Sequence, residues 1–180
     1  MSQFVNRMIR AAKLDPQVYE EVEADKSTLP QAMGVVVLSS VAGGIGFMEE
    51  TGLGGLVFGT VLSLAGWYIW AFVTYLIGTK LLPEPQTSAD LGELLRTIGF
   101  SSAPGLIRVF AIIPALDLGI TLVAAVWMLV AMVVAVRQAL DYHSTYRAVG
   151  VCVLGWIVQA VFLGVILWMV GGMPEPMPAH

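Results

Sequence analysis

From Leu53 to Leu82 the chain runs for thirty residues with Lys80 as its one charged side chain. A helix over that stretch is about 45 Å long at ~1.5 Å per residue, well beyond the roughly 30 Å hydrocarbon core of a bilayer. It must tilt, or extend past the core with the Lys80 ammonium reaching back to the headgroups. Comparable apolar runs lie at about Gln31 to Met48, Asp117 to Ala139 and Val149 to Val170. The chain is 57% hydrophobic and 12% charged, against roughly 45–50% and 25% in soluble domains, and its mean hydropathy is +0.81. In water such a chain would expose far more apolar surface than folded proteins tolerate. The sequence therefore predicts an all-α polytopic membrane protein, a five-helix transmembrane bundle with short amphipathic cytoplasmic helices. Residues 1–29 form the N-terminal helices, 30–171 the membrane domain and 172–180 a proline-rich tail.

Several function classes are excluded by what the chain lacks. Its net charge is −4 and it has no basic face, so a nucleic-acid partner is not expected. Cys152 stands alone, which rules out an intramolecular disulfide and a multi-cysteine metal site. No HExxH pair, GxSxG elbow, Walker loop or GxGxxG is present, so no cofactor, metal or catalytic residue is expected. Ser101 and Ser102 have no nearby histidine in sequence, and an intramembrane hydrolase is the minor alternative. Asp141 with His143 reads as a solvated loop. The first thirty residues contain no cleavable signal pattern, so the first apolar segment is expected to be an uncleaved anchor.

Two short helices precede that anchor. Over Ser2 to Leu14, Phe4, Val5, Met8 and Ile9 share one side while Asn6, Arg7, Arg10 and Lys13 take the other, a pattern that suits an anionic membrane surface or an ordinary solvated helix. In LDPQVYEEVEAD, Asp15 can cap, Pro16 suits the first helical position and Leu14 can staple to Tyr19. Within the spans, Ser39 with Gly43, Ser40 with Gly44, and Gly55 with Gly59 allow close helix packing or self-association. Trp67, Trp70 and Trp127 lie inside their spans, where they fill gaps between helices or line a cavity for a lipid or apolar ligand.

The segment between the second and fourth apolar runs is the ambiguous one. After PEPQTSAD, residues Leu91, Leu94, Leu95 and Ile98 form an apolar stripe with Asp90, Glu93 and Thr97 facing away, and Thr87 with Asp90 resembles a capping box. This predicts an interfacial helix lying along the membrane. From Ala103 to Leu116 there are fourteen residues, about 21 Å of α-helix, short for a bilayer. Charge bias favours crossing. With five spans and the N-terminus inside, Arg7, Arg10, Lys13, Lys26, Lys80, Arg96, Arg137 and Arg147 all fall on the inner side, whereas a re-entrant segment moves the last two outside. A crossing helix over about Thr97 to Leu116 then breaks at Gly99 to Ser102 and restarts at Ala103. Pro104 fits the first turn of the restart and Ser101 or Ser102 can cap it. Arg108 needs a partner or a route to water. Glu49, Glu50 and Asp117 are the candidate counter-charges, with snorkelling and a substrate or headgroup site as alternatives.

Three stretches, LDPQVYEEVEAD, LRTIGFSSAPGLIRVF and AVRQALDYHSTYRAVGVCVLGW, resemble the bacterial branch of the Yip1-domain membrane proteins, and with the five-span layout the likeness covers nearly the whole chain. The resemblance implies a compact helical membrane domain with a cytoplasmic N-terminus. Eukaryotic members are associated with Golgi and endoplasmic-reticulum trafficking and with Rab-type GTPases, machinery that bacteria lack. The expected function is a non-enzymatic inner-membrane protein, N-terminus cytoplasmic and C-terminus outside, that organises the lipid bilayer, a membrane-protein partner or its own homo-oligomer. The alternative is a small transporter or lipid-moving protein that uses the broken third helix and Arg108.

Overall fold

The computed structural model describes the chain from Ser2 to Gly171 apart from Gly46, Phe47 and Pro114, without the side chains of residues 48–51, 162, 163 and 166–171. The expected tail 172–180 lies outside the described residues. Every described element is helical: α1 (Gln3–Ala12), α2 (Pro16–Ala24), α3 (Leu29–Gly44), α4 (Met48–Leu76), α5 (Leu91–Phe100), α6 (Asp117–Ala139) and α7 (Thr145–Gly171). Short 3-10 and π turns occur at Lys26–Thr28 and Ile77–Leu81, and a longer 3-10 segment, Ala103–Ile112, follows α5. Two stretches, Gly52–Leu81 and Asp117–Ala139, are long and apolar enough to cross a membrane. α4 is not straight at its start: Gly52 has φ 64°, a backbone region that costs glycine least.

Polar side chains gather the helix ends at one pole of the bundle. The Gln86 amide donates to the Asp141 carbonyl at 3.0 Å, Arg147 donates to the Pro83 carbonyl at 2.8 Å, and Gln138 donates to Glu20 at 2.7 Å. The Tyr142 hydroxyl lies 2.9 Å from the Gly78 carbonyl and 2.7 Å from that of Leu82, sharing its proton between them. Burial pushes this phenol up to about 12, so it remains a donor throughout ordinary pH. The end of α4, the start of α5, the end of α6, the start of α7 and the side of α2 thus meet in one layer. Beneath it lies a core of Leu94, Ile98, Val136, Leu140, Val151 and their neighbours.

The N-terminal helices are built into this pole. Ser2 and Asp15 cap α1 and α2, accepting from the Val5 and Gln17 amides, and Pro16 takes the first position of α2 as the sequence indicates. Ala11, Val18, Tyr19 and Val22 share a second core with Ala32, Val35, Phe100, Ala103 and Ala135, and Phe4 and Met8 pack against it. One side chain departs from the amphipathic reading. Arg7, expected on the solvated side, is 3% exposed, because α2 folds back and offers it Glu21 at 2.8 Å and Asp25 at 3.1 Å.

α5 also departs from expectation. An interfacial helix has one wet side, but Leu94 through Phe100 are all buried, Thr97 included, since α2, α3, α4 and α6 all pack against α5. Thr97 satisfies its hydroxyl internally by donating to the Glu93 carbonyl at 3.0 Å. Its capping box is Asp90 with Glu93, not Thr87 with Asp90. The Thr87 hydroxyl instead accepts from the Glu84 amide.

Nor does the third segment break at Gly99. α5 continues to Phe100, Ser101 and Ser102 keep right-handed helical dihedrals, and the chain then tightens into ten residues of 3-10 helix. Pro104 stands in the first turn of that segment, as expected, but neither serine caps it. The Ser101 hydroxyl donates back to the Ile98 carbonyl at 2.7 Å. The physical reason for the change of winding is that Pro104 has no N–H to give to the carbonyl four residues earlier. The consequence is reach. At ~2.0 Å per residue the 3-10 segment is about 20 Å long, where the same residues as α-helix give about 15 Å.

Candidate functional site

Midway along α3, the 3-10 segment lies close enough for Arg108 to reach across. Its Nη2 donates to the Ser39 carbonyl at 2.8 Å and to the Ser39 hydroxyl at 2.9 Å, and its Nε donates to the Gly105 carbonyl at 3.1 Å. Two glycines make the room. A methyl at Gly43 would sit 2.9 Å from Arg108 Cζ and Nη1, and one at Gly105 would meet the Ser39 hydroxyl and lie 2.8 Å from Met128 Sδ. The Ser39–Gly43 spacing, which the sequence offers as a packing face, is thus the seat of the guanidinium.

The expected counter-charges fare differently. Asp117 is exposed at the start of α6 and accepts from the Thr121 hydroxyl at 3.3 Å. The Glu49 and Glu50 side chains lie outside the described residues. Among the described residues no carboxylate comes within 4.0 Å of Arg108. Neutral oxygens hold it, and its Nη1 has no hydrogen-bond acceptor among them.

Arg108 borders a cavity of about 350 Å³ between α3, α4, the 3-10 segment, α6 and α7. Ser40, Ser63, Ser102 and Gln159 add polar groups to its wall, and Trp67, Trp70 and Trp156 supply indole faces. Of the central tryptophans, Trp67 spends its N–H on the Leu95 carbonyl at 3.1 Å. Trp127 lies elsewhere and caps α1 through the Ala12 carbonyl at 2.7 Å. Trp70 is 6% exposed, and its Nε1 has no partner among the described residues. Pro104 and Ser101 are buried in the helical core beside the cavity and do not line it.

A second hollow, about 380 Å³, lies at the polar pole and is bordered by Glu20, Gln86, Arg137, Gln138, Asp141 and His143 among others. Asp141 and His143 do sit in a solvated loop there, where the exposed His143 ring lies 2.6 Å from the Gln86 amide. Close to it the Glu23 carboxyl is pushed up to about 7, first by burial and then by Glu93 and Asp141, with Glu20 adding to the shift and Arg96 opposing it. A carboxyl raised on folding makes the fold most stable below its ordinary range, and that stability declines as pH rises through about 7. Glu23→Gln is therefore expected to leave the melting temperature unchanged near pH 5 and raise it near pH 8. Equal melting shifts at both pH values would show that the charge is not the cause.

The described helices, two of them able to cross a membrane and five of them meeting in one polar layer, define a membrane-associated helical protein. The Yip1 domain model matches residues 17–172, and the chain belongs to the Yip1 family. No curated protein and no solved structure matches it.

Arg7 and Arg96 were not legible as structural residues in the sequence, and Ser39 was not legible as the partner of Arg108. Arg96 is 4% exposed and donates through Nε to the Val22 and Glu23 carbonyls at 3.0 and 3.1 Å, with Nη2 also on Glu23, closing the free carbonyl end of α2. A cation inside the stripe LLRTI was the available signal for it.

Proposed function

We propose that the chain is a non-enzymatic protein of a bacterial inner membrane, crossing it five times with the N-terminus cytoplasmic and the C-terminus outside, that organises a membrane-protein partner. The crossings follow α3, α4, α5 with the 3-10 segment, α6 and α7. Arg7, Arg10, Arg96, Arg137 and Arg147 bond to groups of one pole, which supports placing that pole inside. The observation that carries the partner reading is the polar hollow at this pole. Side chains from α2, the α4–α5 connection, the end of α6 and the α6–α7 connection converge there on one surface. Such a preformed polar rim with mixed charge suits protein docking. Replacing the exposed Glu20 with Arg and His143 with Glu is expected to lower recovery of the co-purifying partner on the order of tenfold, with melting unchanged. Undiminished recovery overturns the reading.

A second reading, a small lipid-moving protein, is favoured by one observation, the polar cavity around Arg108 in the middle of apolar helices. Its test is movement of labelled lipid between leaflets of proteoliposomes, compared with the Arg108→Ala variant. Equal rates for the variant and protein-free vesicles, with the native protein no faster, sink it.

A further inference from the structure

We propose that the cavity between α3, α4, the 3-10 segment, α6 and α7 is a binding site for the phosphodiester of an anionic lipid headgroup, held by Arg108. This deepens the second reading by naming its ligand and rests on it only for the location of the site, since a lipid can be bound without being moved.

The first argument is charge. Arg108 keeps its positive charge under all physiological conditions, and the described residues around it offer carbonyl and hydroxyl oxygens but no carboxylate. A cation in apolar surroundings is costly until it is paired. Two of its three nitrogens are fixed by Ser39 and Gly105, which orients the plane of the guanidinium, while Nη1 is left over. The second argument is the donor set. Ser40, Ser63, Ser102 and Gln159 line the same space and add hydroxyl and amide groups to its wall. A wall of donors without an anion of its own is matched by a ligand rich in acceptor oxygens, and a phosphodiester brings both the charge and the oxygens.

The third argument is the surroundings. At about 350 Å³ the cavity is at the small end of the roughly 300–1,000 Å³ range of ligand sites, sufficient for a headgroup and too small for acyl chains. The chains have a place outside it. Gln159 and the half-exposed Trp156 stand at the α7 edge, and Phe58, Val61, Leu62, Val158 and Val161 continue as exposed apolar surface along α4 and α7. Free phosphate shares the headgroup chemistry but has nothing to place on that surface.

The test is native mass spectrometry of the full chain from nanodiscs containing phosphatidylglycerol, phosphatidylcholine and diacylglycerol. A tryptophan-fluorescence titration with short-chain phosphatidylglycerol, and separately with inorganic phosphate, accompanies it. Expected is one retained phosphatidylglycerol per chain, preferred over phosphatidylcholine, whose choline places a second cation near Arg108. Arg108→Gln should weaken the titration roughly tenfold or more. Should that variant fold poorly, Gly66→Leu serves. Gly66 lines the cavity and a Cβ added to it would meet nothing within 4 Å, so a larger side chain starts into open space, and leucine there should abolish retention at unchanged melting. Equal retention of diacylglycerol, unchanged binding in Gly66→Leu, or inorganic phosphate binding as tightly as the lipid would each overturn the proposal. Retention without lipid movement in proteoliposomes supports the site and removes the transport reading alone.

Discussion

Gly99→Val is expected to destabilise the helical fold by about 3 kcal/mol, toward the upper part of the range for overpacked cores. A Cβ at position 99 would stand 2.7 Å from the Ala32 Cβ, 3.1 Å from its carbonyl oxygen and 3.2 Å from its carbonyl carbon. Backbone, unlike the far end of a flexible side chain, cannot swing away, so α5 and α3 must separate. Their separation disturbs the core that joins Phe100, Ala103 and Ala32 to the N-terminal helices. The measurement is the midpoint of thermal aggregation in detergent, with Gly59→Val as control, since nothing lies within 4 Å of a Cβ at that exposed position. Ala32→Gly combined with Gly99→Ala should recover part of the loss of Gly99→Ala alone, because it removes the nearest of the three contacts and leaves the two to backbone. Additive losses in that pair would mean that the two residues do not meet.

Why Gly99 matters was hidden in the sequence, where it looked like a helix breaker. Glycine, serine and proline side by side suggest an elbow, but in a packed helical bundle a glycine also marks where two backbones approach, and single-sequence reading cannot separate these uses. Long apolar runs were easier. The bounds of α6 and the cap of α2 follow from hydropathy and from Asp15 and Pro16, all local signals. Burial of α5 was not local. Its stripe of Leu91, Leu94, Leu95 and Ile98 predicts one apolar side, yet the opposite side meets α2, an element some seventy residues earlier in the chain. Arg108 was legible as a residue in need of a partner, whereas Ser39 looked like a small packing residue. The Ser39 hydroxyl and carbonyl become a guanidinium seat only once Gly43 and Gly105 bring the two segments together.

Arg7→Met should release α1 from the bundle while the rest of the helices hold, at a cost of about 3 kcal/mol, the low end for removing one member of a buried pair. Glu21 and Asp25 are each about one-third exposed, 36% and 37% by side chain, so water relieves part of the charge that Arg7 leaves behind. What is lost is a planar group that meets Glu21 through Nε, Asp25 through Nη2 and Gln31 through Nη1. Lysine supplies a single ammonium and cannot span these partners, so Arg7→Lys should fall nearer to Arg7→Met than to the native chain. Acid should act in the same direction. Arg7 and Arg10 hold the Glu21 carboxyl below its ordinary range, Arg10 does so for Asp15, and Ser27 and then Arg7 for Asp25. Groups lowered on folding stabilise the fold above their ordinary values, and that contribution is lost as pH falls through the depressed ones. A cysteine placed at the buried Ala11 reports the release. It should resist a maleimide at neutral pH, react readily in the Arg7→Met background, and stay protected in Glu23→Gln, whose substituted group contributes to neither ion pair. Protection that survives Arg7→Met would mean that the apolar contacts of Phe4, Met8 and Ala11 hold α1 in place without the buried cation.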